Sequence, residues 1–415
     1  MSLSGSPTKW ELVTKRFKTL TLGCRTNQYE TQAFADQMRA LGMQEGDDAD
    51  LCVVNTCTVT ESADSSSRHA IRELLRQNPR ARVMVTGCFA EAKPEEVAAI
   101  DTRVQVVSNK EKESLLKIAL PDEAIAEFKI AHFEAHTRAF VKVQDGCNSF
   151  CTYCIIPYVR GRSRSRPREE IIKEAEGLIA NGFKEIVITG INVGDYDGGG
   201  QDTLADLVRA LDALDGLKRL RISSIDPDEV DDDLLDAVIH SKHTCHSMHI
   251  VLQSGSNAIL KRMNRKYTRQ MFFKTIDRLK TASPDFTFTT DIIVGFPGET
   301  GRDFEETLQV MREVKFAKVH MFPYSERKRT RAALFSGKVP PPLIKARKAR
   351  LLQEAETLAY DLRENYVGRK MTVLIEEGGR GHTDNFLPVL VTGAHANDLV
   401  EVTLVQNTAE GLVGI

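Results

Sequence analysis

Within Gln144-Asp145-Gly146-Cys147-Asn148-Ser149-Phe150-Cys151-Thr152-Tyr153-Cys154, three cysteines stand with three and then two residues between them. Three thiolates can hold three irons of a four-iron cluster, which leaves the fourth iron open to a ligand that is not protein. That vacancy marks a redox centre that does chemistry. Zinc is the rival reading, but structural zinc normally takes four ligands and no fourth stands nearby. Three more cysteines, Cys24, Cys57 and Cys88, close the phrases Leu22-Gly23-Cys24, Asn55-Thr56-Cys57 and Thr86-Gly87-Cys88, each at the end of an apolar run. If those runs are parallel strands, their ends share one sheet edge and the three thiols can converge. Singly, each would be a buried structural cysteine. Together they are also candidates for the ligands of a second cluster. Cys52 and Cys245 have no partner at a telling spacing and read as core residues.

The elements that must position these residues follow from hydrophobic periodicity. Apolar runs at Phe17–Cys24, Leu51–Cys57, Ala81–Cys88 and Val104–Val107 alternate with helical patterns from Gln28 to Leu41, Ser62 to Gln77 and Pro94 to Ala99. This predicts an open parallel α/β layer, because strand–helix–strand units need such crossovers. A second series has strands expected at Phe140–Val143, Glu185–Thr189, Arg219–Ser223, His249–Leu252, Phe286–Val294 and Lys318–Phe322, with helices between them. Six βα units in a row predict a partial (βα)6 barrel whose working residues lie at the carboxyl ends of strands. A charged connecting helix from Leu343 to Tyr366 and short β-type runs from Met371 to Ile415 complete the α/β chain with a small β-barrel. The domains expected are therefore 1–131, 132–366 and 367–415.

Composition excludes several classes. With 41% hydrophobic and 27% charged residues, the 415-residue chain has the balance of a soluble globular protein. No apolar run approaches the length that spans a bilayer, and Met1–Lys18 lacks a secretion signal, so a cytoplasmic, non-membrane protein is expected. In that reducing compartment, clustered cysteines bind metal more often than they pair. A net charge of −2 argues against wrapping nucleic acid by overall charge, so any RNA contact must be local.

Cys147–Cys154 followed by Ile155-Ile156-Pro157-Tyr158-Val159-Arg160-Gly161-Arg162 resembles the radical S-adenosylmethionine (SAM) family in its methylthiotransferase branch. The phrases Ile188–Tyr196, Arg221–Pro227, His249–Ser256, Thr289–Thr300 and Phe322–Arg327 are similar to that branch in order and spacing. The resemblance implies two [4Fe-4S] clusters. The open iron on Cys147, Cys151 and Cys154 would bind SAM and supply the electron that cleaves it to a 5′-deoxyadenosyl radical. A second cluster on Cys24, Cys57 and Cys88 would deliver sulfur. It implies a SAM pocket near Tyr153, Gly190, Asn192, Gln253 and Asp291, an external electron donor, a sulfur donor and a tRNA partner. Gln253 and Asp291 also have a plainer reading as barrel-end residues satisfied by loop backbone.

Among the branch's substrates, threonylcarbamoyladenosine in tRNA is favoured by Thr21–Thr31, where a basic residue follows Cys24 and Asn-Gln-Tyr-Glu comes next, and by Gly381–Val389. Isopentenyladenosine in tRNA and a ribosomal-protein aspartate are the alternatives. A non-catalytic iron–sulfur protein is a further one, disfavoured by the missing fourth cysteine. Arg160, Arg162, Arg164, Arg166 and Arg168 alternate beyond the cysteines and are expected to meet phosphates or a substrate carboxylate; a salt-bridged, solvated stretch is the plain alternative. Two features depart from the branch. Lys328-Arg329-Thr330-Arg331 replaces a usual Pro-Gly turn, and the terminal TRAM-like module carries three basic against six acidic residues.

Overall fold

The computed structural model describes residues 15–131 and 137–415. The chain divides into two compact units. Of the described residues, one comprises 15–23, 30–58 and 62–129, and the other 24–29, 59–61, 130–131 and 137–415. The expected domain boundary at 131/132 and most of the expected leaderless Met1–Lys18 segment lie outside the described residues.

In the first unit, β1 (Arg16–Thr21), β2 (Gln44–Glu45), β3 (Leu51–Thr56), β4 (Arg82–Gly87) and β5 (Val104–Val106) form a parallel sheet in the order β2-β1-β3-β4-β5. Every side chain of β3 is buried. Leu51 and Val53 pack with Phe34, Met38 and Met84 on one face, while Cys52 and Val54 pack with Ile71, Leu74 and Phe89 on the other. A strand covered on both faces reads as a continuous apolar run, which is why β3 and β4 were visible in the sequence. The register sets Thr56 opposite Gly87, so the chain leaves these neighbouring strands at one edge, directly into Cys57 and Cys88.

The second unit opens with β6 (Arg138–Lys142), β7 (Gln144–Asp145) and β8 (Arg164–Ser165), followed by β9 (Glu185–Thr189), β10 (Arg219–Ile222), β11 (Ser247–His249), β12 (Thr287–Val294) and β13 (Lys318–Pro323). Two parallel sheets, β10-β9-β6 and β11-β12-β13, are joined by single bridges between Leu220 and Thr244 and between Ile225 and Ile250. The result is the expected partial barrel of six parallel strands. The fourth strand departs from expectation: it runs over Ser247–His249, not His249–Leu252. Beyond His249 the backbone alternates between neighbours, Ile250 N donating to Thr289 O and Val251 N to Ile225 O, before Gln253 turns at φ +60°. Burial of Ile250, Val251 and Leu252 is thus achieved without a ladder.

A 24-residue helix, Pro341–Glu364, leads to a closed barrel of β14 (Lys370–Ile375), β15 (Arg380–Thr383), β16 (Pro388–Val391), β17 (Leu399–Asn407) and β18 (Leu412–Gly414). Its core gathers Val373, Ile375, Leu387, Val389, Leu404 and Leu412. Arg219 ties it to β10 by donating to the carbonyls of His382 and Thr372 at 2.9 and 2.7 Å. Among the described residues no helix is long and apolar enough to cross a membrane.

Candidate functional site

The Cys147–Cys154 loop is built on a turn that only glycine permits. Gly146 sits at φ +72°, and a Cβ there would stand 2.0 Å from the Arg162 carbonyl oxygen. That close approach follows from the antiparallel pairing of β7 with β8, and it brings Cys147 N to 3.2 Å from Gly161 O. Ser149 N points at Cys147 Sγ from 3.4 Å. Thr152 is pinned from both sides, its N donating to Met263 O and its carbonyl accepting from Ala332 N. From the adjoining loop, Arg265 Nη1 donates to Cys151 Sγ at 3.1 Å. The same guanidinium bonds Tyr267 Oη at 2.9 Å and pairs with Asp226.

All three cysteines are partly exposed, whereas Cys52 and Cys245 are buried in the core as expected. Burial and the neighbouring Cys151 push the Cys154 thiol up to about 12, and burial also raises Cys147. Such thiols become thiolates only against strong positive charge, which bound iron supplies. Among the described residues no three His, Cys, Asp or Glu side chains stand in position for a single metal ion. A four-iron cube holds its thiolates further apart than one ion does. Backbone N–H and guanidinium donors aimed at cysteine sulfur, in a loop whose three cysteines are partly exposed, fit that larger group.

Beside Cys154 lies a cavity of about 180 Å³ lined by Tyr153, Gln253, Asp291, Ile293 and Tyr324 among others. Three of the five residues expected in a SAM pocket therefore meet there. Gln253 holds its left-handed conformation between two backbone bonds, its N donating to Asp291 O and its carbonyl accepting from Ile293 N. Tyr153 rests edge-on against Phe296, and burial raises its hydroxyl well above the usual range.

Gly190 and Asn192 stand elsewhere, outside the residues that line this cavity. Both pack on Gln144, whose Oε1 accepts from Ile191 N and Asn192 N at 3.0 and 2.9 Å, and whose Nε2 donates to Gly146 O at 2.9 Å. A Cβ at Gly190 would lie 2.9 Å from that Oε1. Asn192 Nδ2 donates to Glu229 Oε1 at 2.7 Å. Burial, then the Asp226 charge, raises the Glu229 carboxyl to about 7. Gln144, Glu229 and Arg265 thus form the frame behind the cysteine loop, and the sequence reading missed all three. Only Asp226-Pro227-Asp228-Glu229 carried a signal, the spacing of a capping box, which the structure contains.

The arginine stretch divides. Arg160 is buried, bonded to Asp145 at 2.8 Å and to Asn27. Arg166 reaches Glu174 at 2.7 Å and Tyr29 Oη at 3.1 Å, and Arg168 pairs with Asp202 at 2.6 Å. Arg162 and Arg164 are exposed, Arg162 over the Phe150 ring and Arg164 sharing Asp145. The five do not form one basic strip.

Cys57 and Cys88 are buried at adjacent strand ends, where Gly87 at φ +96° lets the chain pass the Thr56 carbonyl. Cys57 N and O both bond Ser67 Oγ. Cys24 is exposed three residues beyond β1.

Comparison with known proteins adds independent findings. Residues 141–311 match the radical SAM superfamily model, and residues 16–109 match the uncharacterized protein family UPF0004. The chain is 50% identical to a threonylcarbamoyladenosine tRNA methylthiotransferase MtaB of Chlamydia pneumoniae, covering 96% of this chain and 97% of that protein. The MtaB of Bacillus subtilis is 38% identical, with 90% and 89% covered. A tRNA-2-methylthio-N(6)-dimethylallyladenosine synthase of Clostridium novyi is 34% identical, with 87% and 86% covered. Among solved structures, the radical SAM methyltransferase TsrM of Kitasatospora setae aligns with a TM-score of 0.54 at 13% identity, covering 74% of this chain and 72% of that one, a likeness of fold alone.

Proposed function

Because the chain belongs to the MtaB group of radical SAM methylthiotransferases, we propose that it places a methylthio group on carbon 2 of N6-threonylcarbamoyladenosine next to the anticodon of tRNA. The observation that carries the reading is the Cys147–Cys151–Cys154 loop, turned on Gly146, backed by Arg265 and opening beside the cavity of Tyr153, Gln253 and Asp291.

In this reading, a [4Fe-4S] cluster with one open iron and SAM supply the radical that takes hydrogen from the substrate carbon, and a second cluster on Cys24, Cys57 and Cys88 supplies sulfur. The chain's own residues hold and orient these groups. Tyr153 and Ile293 give the adenosyl moiety an apolar wall, and the Gln253 and Asp291 side chains give it polar contacts. Gln144 fixes Gly190, Asn192 and Gly146 relative to one another, so the loop cannot drift from the strand end behind it. Arg162 and Arg164, the exposed members of their stretch, are assigned to tRNA phosphates, which position RNA without reading sequence. The three-part division at 131 and 366 gives sulfur delivery, radical chemistry and a TRAM-like RNA contact to successive domains of a cytoplasmic enzyme. An electron donor and a sulfur donor act as its partners.

Arg265 contributes through the sulfur it contacts. A hydrogen bond to a ligating thiolate stabilises the reduced, more negative cluster and so raises its reduction potential. Arg265→Met is expected to keep the iron but shift the potential downward, so that a given external electron donor reduces the cluster less completely and SAM cleavage slows, as redox titration of the reconstituted protein would read. An unchanged potential with slowed cleavage would contradict that role.

The substrate assignment is tested by competition between two purified tRNAs, one carrying threonylcarbamoyladenosine and one isopentenyladenosine. Preferential methylthiolation of the first is expected. Preference for the second would overturn the assignment.

A further inference from the structure

A second cavity of about 130 Å³ lies inside the partial barrel, and its lining is basic. Arg25, Arg221, His249, Lys318 and His320 contribute to it, together with the hydroxyls of Ser247 and Thr289, and no carboxylate lines it. One of these cations is already matched, and one imidazole lies against a carboxylate. Arg221 bonds Glu185 at 2.9 Å, and His249 Nε2 stands 3.3 Å from Asp291 Oδ1. Arg25 and Lys318 are not matched. Among the described residues neither side chain makes a direct hydrogen bond or ion pair: the Arg25 guanidinium stands 5.4 Å from the Phe140 ring and feels the Glu185 and Asp291 carboxylates only at longer range, against repulsion from Arg138 and Arg221. A guanidinium turned into an interior cavity without an acceptor costs free energy unless something anionic fills the place.

Asp291 lines the first cavity and its contact His249 lines the second, so the two meet at that pair. Resting on the proposed substrate, we propose that the basic cavity receives the carboxylate of the threonylcarbamoyl group, with Arg25 and Lys318 as its cations and Ser247 or Thr289 facing the threonine hydroxyl. A planar guanidinium suits a carboxylate, which it can meet with two parallel bonds. The volume suits a threonine-sized group and exceeds the need of a single sulfide. Arg160 and Arg166, already bonded to Asp145 and Glu174, are not free for this task. The isopentenyl group carries no charge and would leave the Arg25 guanidinium unmatched in the cavity, which also disfavours that competitor.

The test uses the full, anaerobically reconstituted chain and equilibrium dialysis against three probes: N6-threonylcarbamoyladenosine, its methyl ester and isopentenyladenosine. The native protein is expected to bind the acid at least tenfold more tightly than the ester. Arg25→Gln should remove that preference and Arg25→Lys restore part of it, while the KM for threonylcarbamoyl-tRNA rises at least tenfold in Arg25→Gln. Because Arg25 adjoins Cys24, iron content is read alongside. Should Arg25→Gln fail to load, Lys318→Gln, on an exposed side chain, decides the matter, with at least a threefold loss for the acid and none for the ester. Acid preference undiminished in whichever variant decides, or displacement of the acid by phosphate or hydrosulfide more readily than by free N-carbamoylthreonine, would overturn the proposal. Continued modification of threonylcarbamoyl-tRNA in that case would leave the substrate reading standing. Failure of the native enzyme to modify that tRNA would instead defeat the substrate reading, and this inference with it.

Discussion

Alanine at Cys147, Cys151 and Cys154 together is expected to abolish 5′-deoxyadenosine formation and to lower the iron of reconstituted protein from about eight atoms per chain to about four. The expectation follows from local geometry. The loop is held by its own turn at Gly146, by Met263 and Ala332 on either side of Thr152, and by Arg265, none of which needs the cluster for its hydrogen bonds. The triple variant should therefore fold and keep a separate second centre. Loss of all iron, or a native chain that never exceeds about four, would contradict two independent clusters.

The converse variant, Cys24, Cys57 and Cys88 all to alanine, is expected to cleave SAM and to yield no methylthio product. Cys147, Cys151, Cys154, Tyr153, Gln253, Asp291 and Ile293 all fall within 130–415, in the second compact unit; Val59 and Thr60, which also line the cavity, belong to that unit's 59–61 segment and are left unchanged by the substitutions. The substitutions at Cys57 and Cys88 are expected to cost some stability as well, because both are buried at strand ends. Thermal unfolding must show a folded chain, and the spectrum of the remaining cluster must be intact. Loss of SAM cleavage under those conditions would refute the division of labour.

What the sequence disclosed divides by range. The Cys147–Cys154 triad is local, so its spacing alone carried its meaning. β3 and β4 were legible because strands buried on both faces leave unbroken apolar runs ending at Cys57 and Cys88. The fourth barrel strand was displaced because Ile250-Val251-Leu252 satisfies a strand pattern while bonding by turns to two neighbours. Two-residue strands such as β2, β7 and β8 carry no periodicity at all, yet the β7–β8 pair is what sets Gly146 against Arg162.

The arginine stretch exposes the same limit for charge. Alternation from Arg160 to Arg168 suggested one recognition strip, but burial of Asp145 and Glu174 turns Arg160 and Arg166 inward. Breaking such a buried pair typically costs about 3–5 kcal/mol, so these arginines are first of all structural. Arg25, by contrast, carried only the mark of a basic residue after Cys24, and its cavity is made by β10–β13, far along the chain. Long-range partners of Gln144, Glu229 and Arg265 were likewise invisible, since a polar residue in a loop announces no acceptor.

The most direct test is mass spectrometry of tRNA nucleosides from a strain lacking the gene, with and without this chain restored. The predicted result is 2-methylthio-N6-threonylcarbamoyladenosine present only when the chain is present, with 2-methylthio-N6-isopentenyladenosine unchanged. Restoration of the isopentenyl form alone, or no change in either nucleoside while an aspartate of ribosomal protein gains the methylthio group, would contradict it.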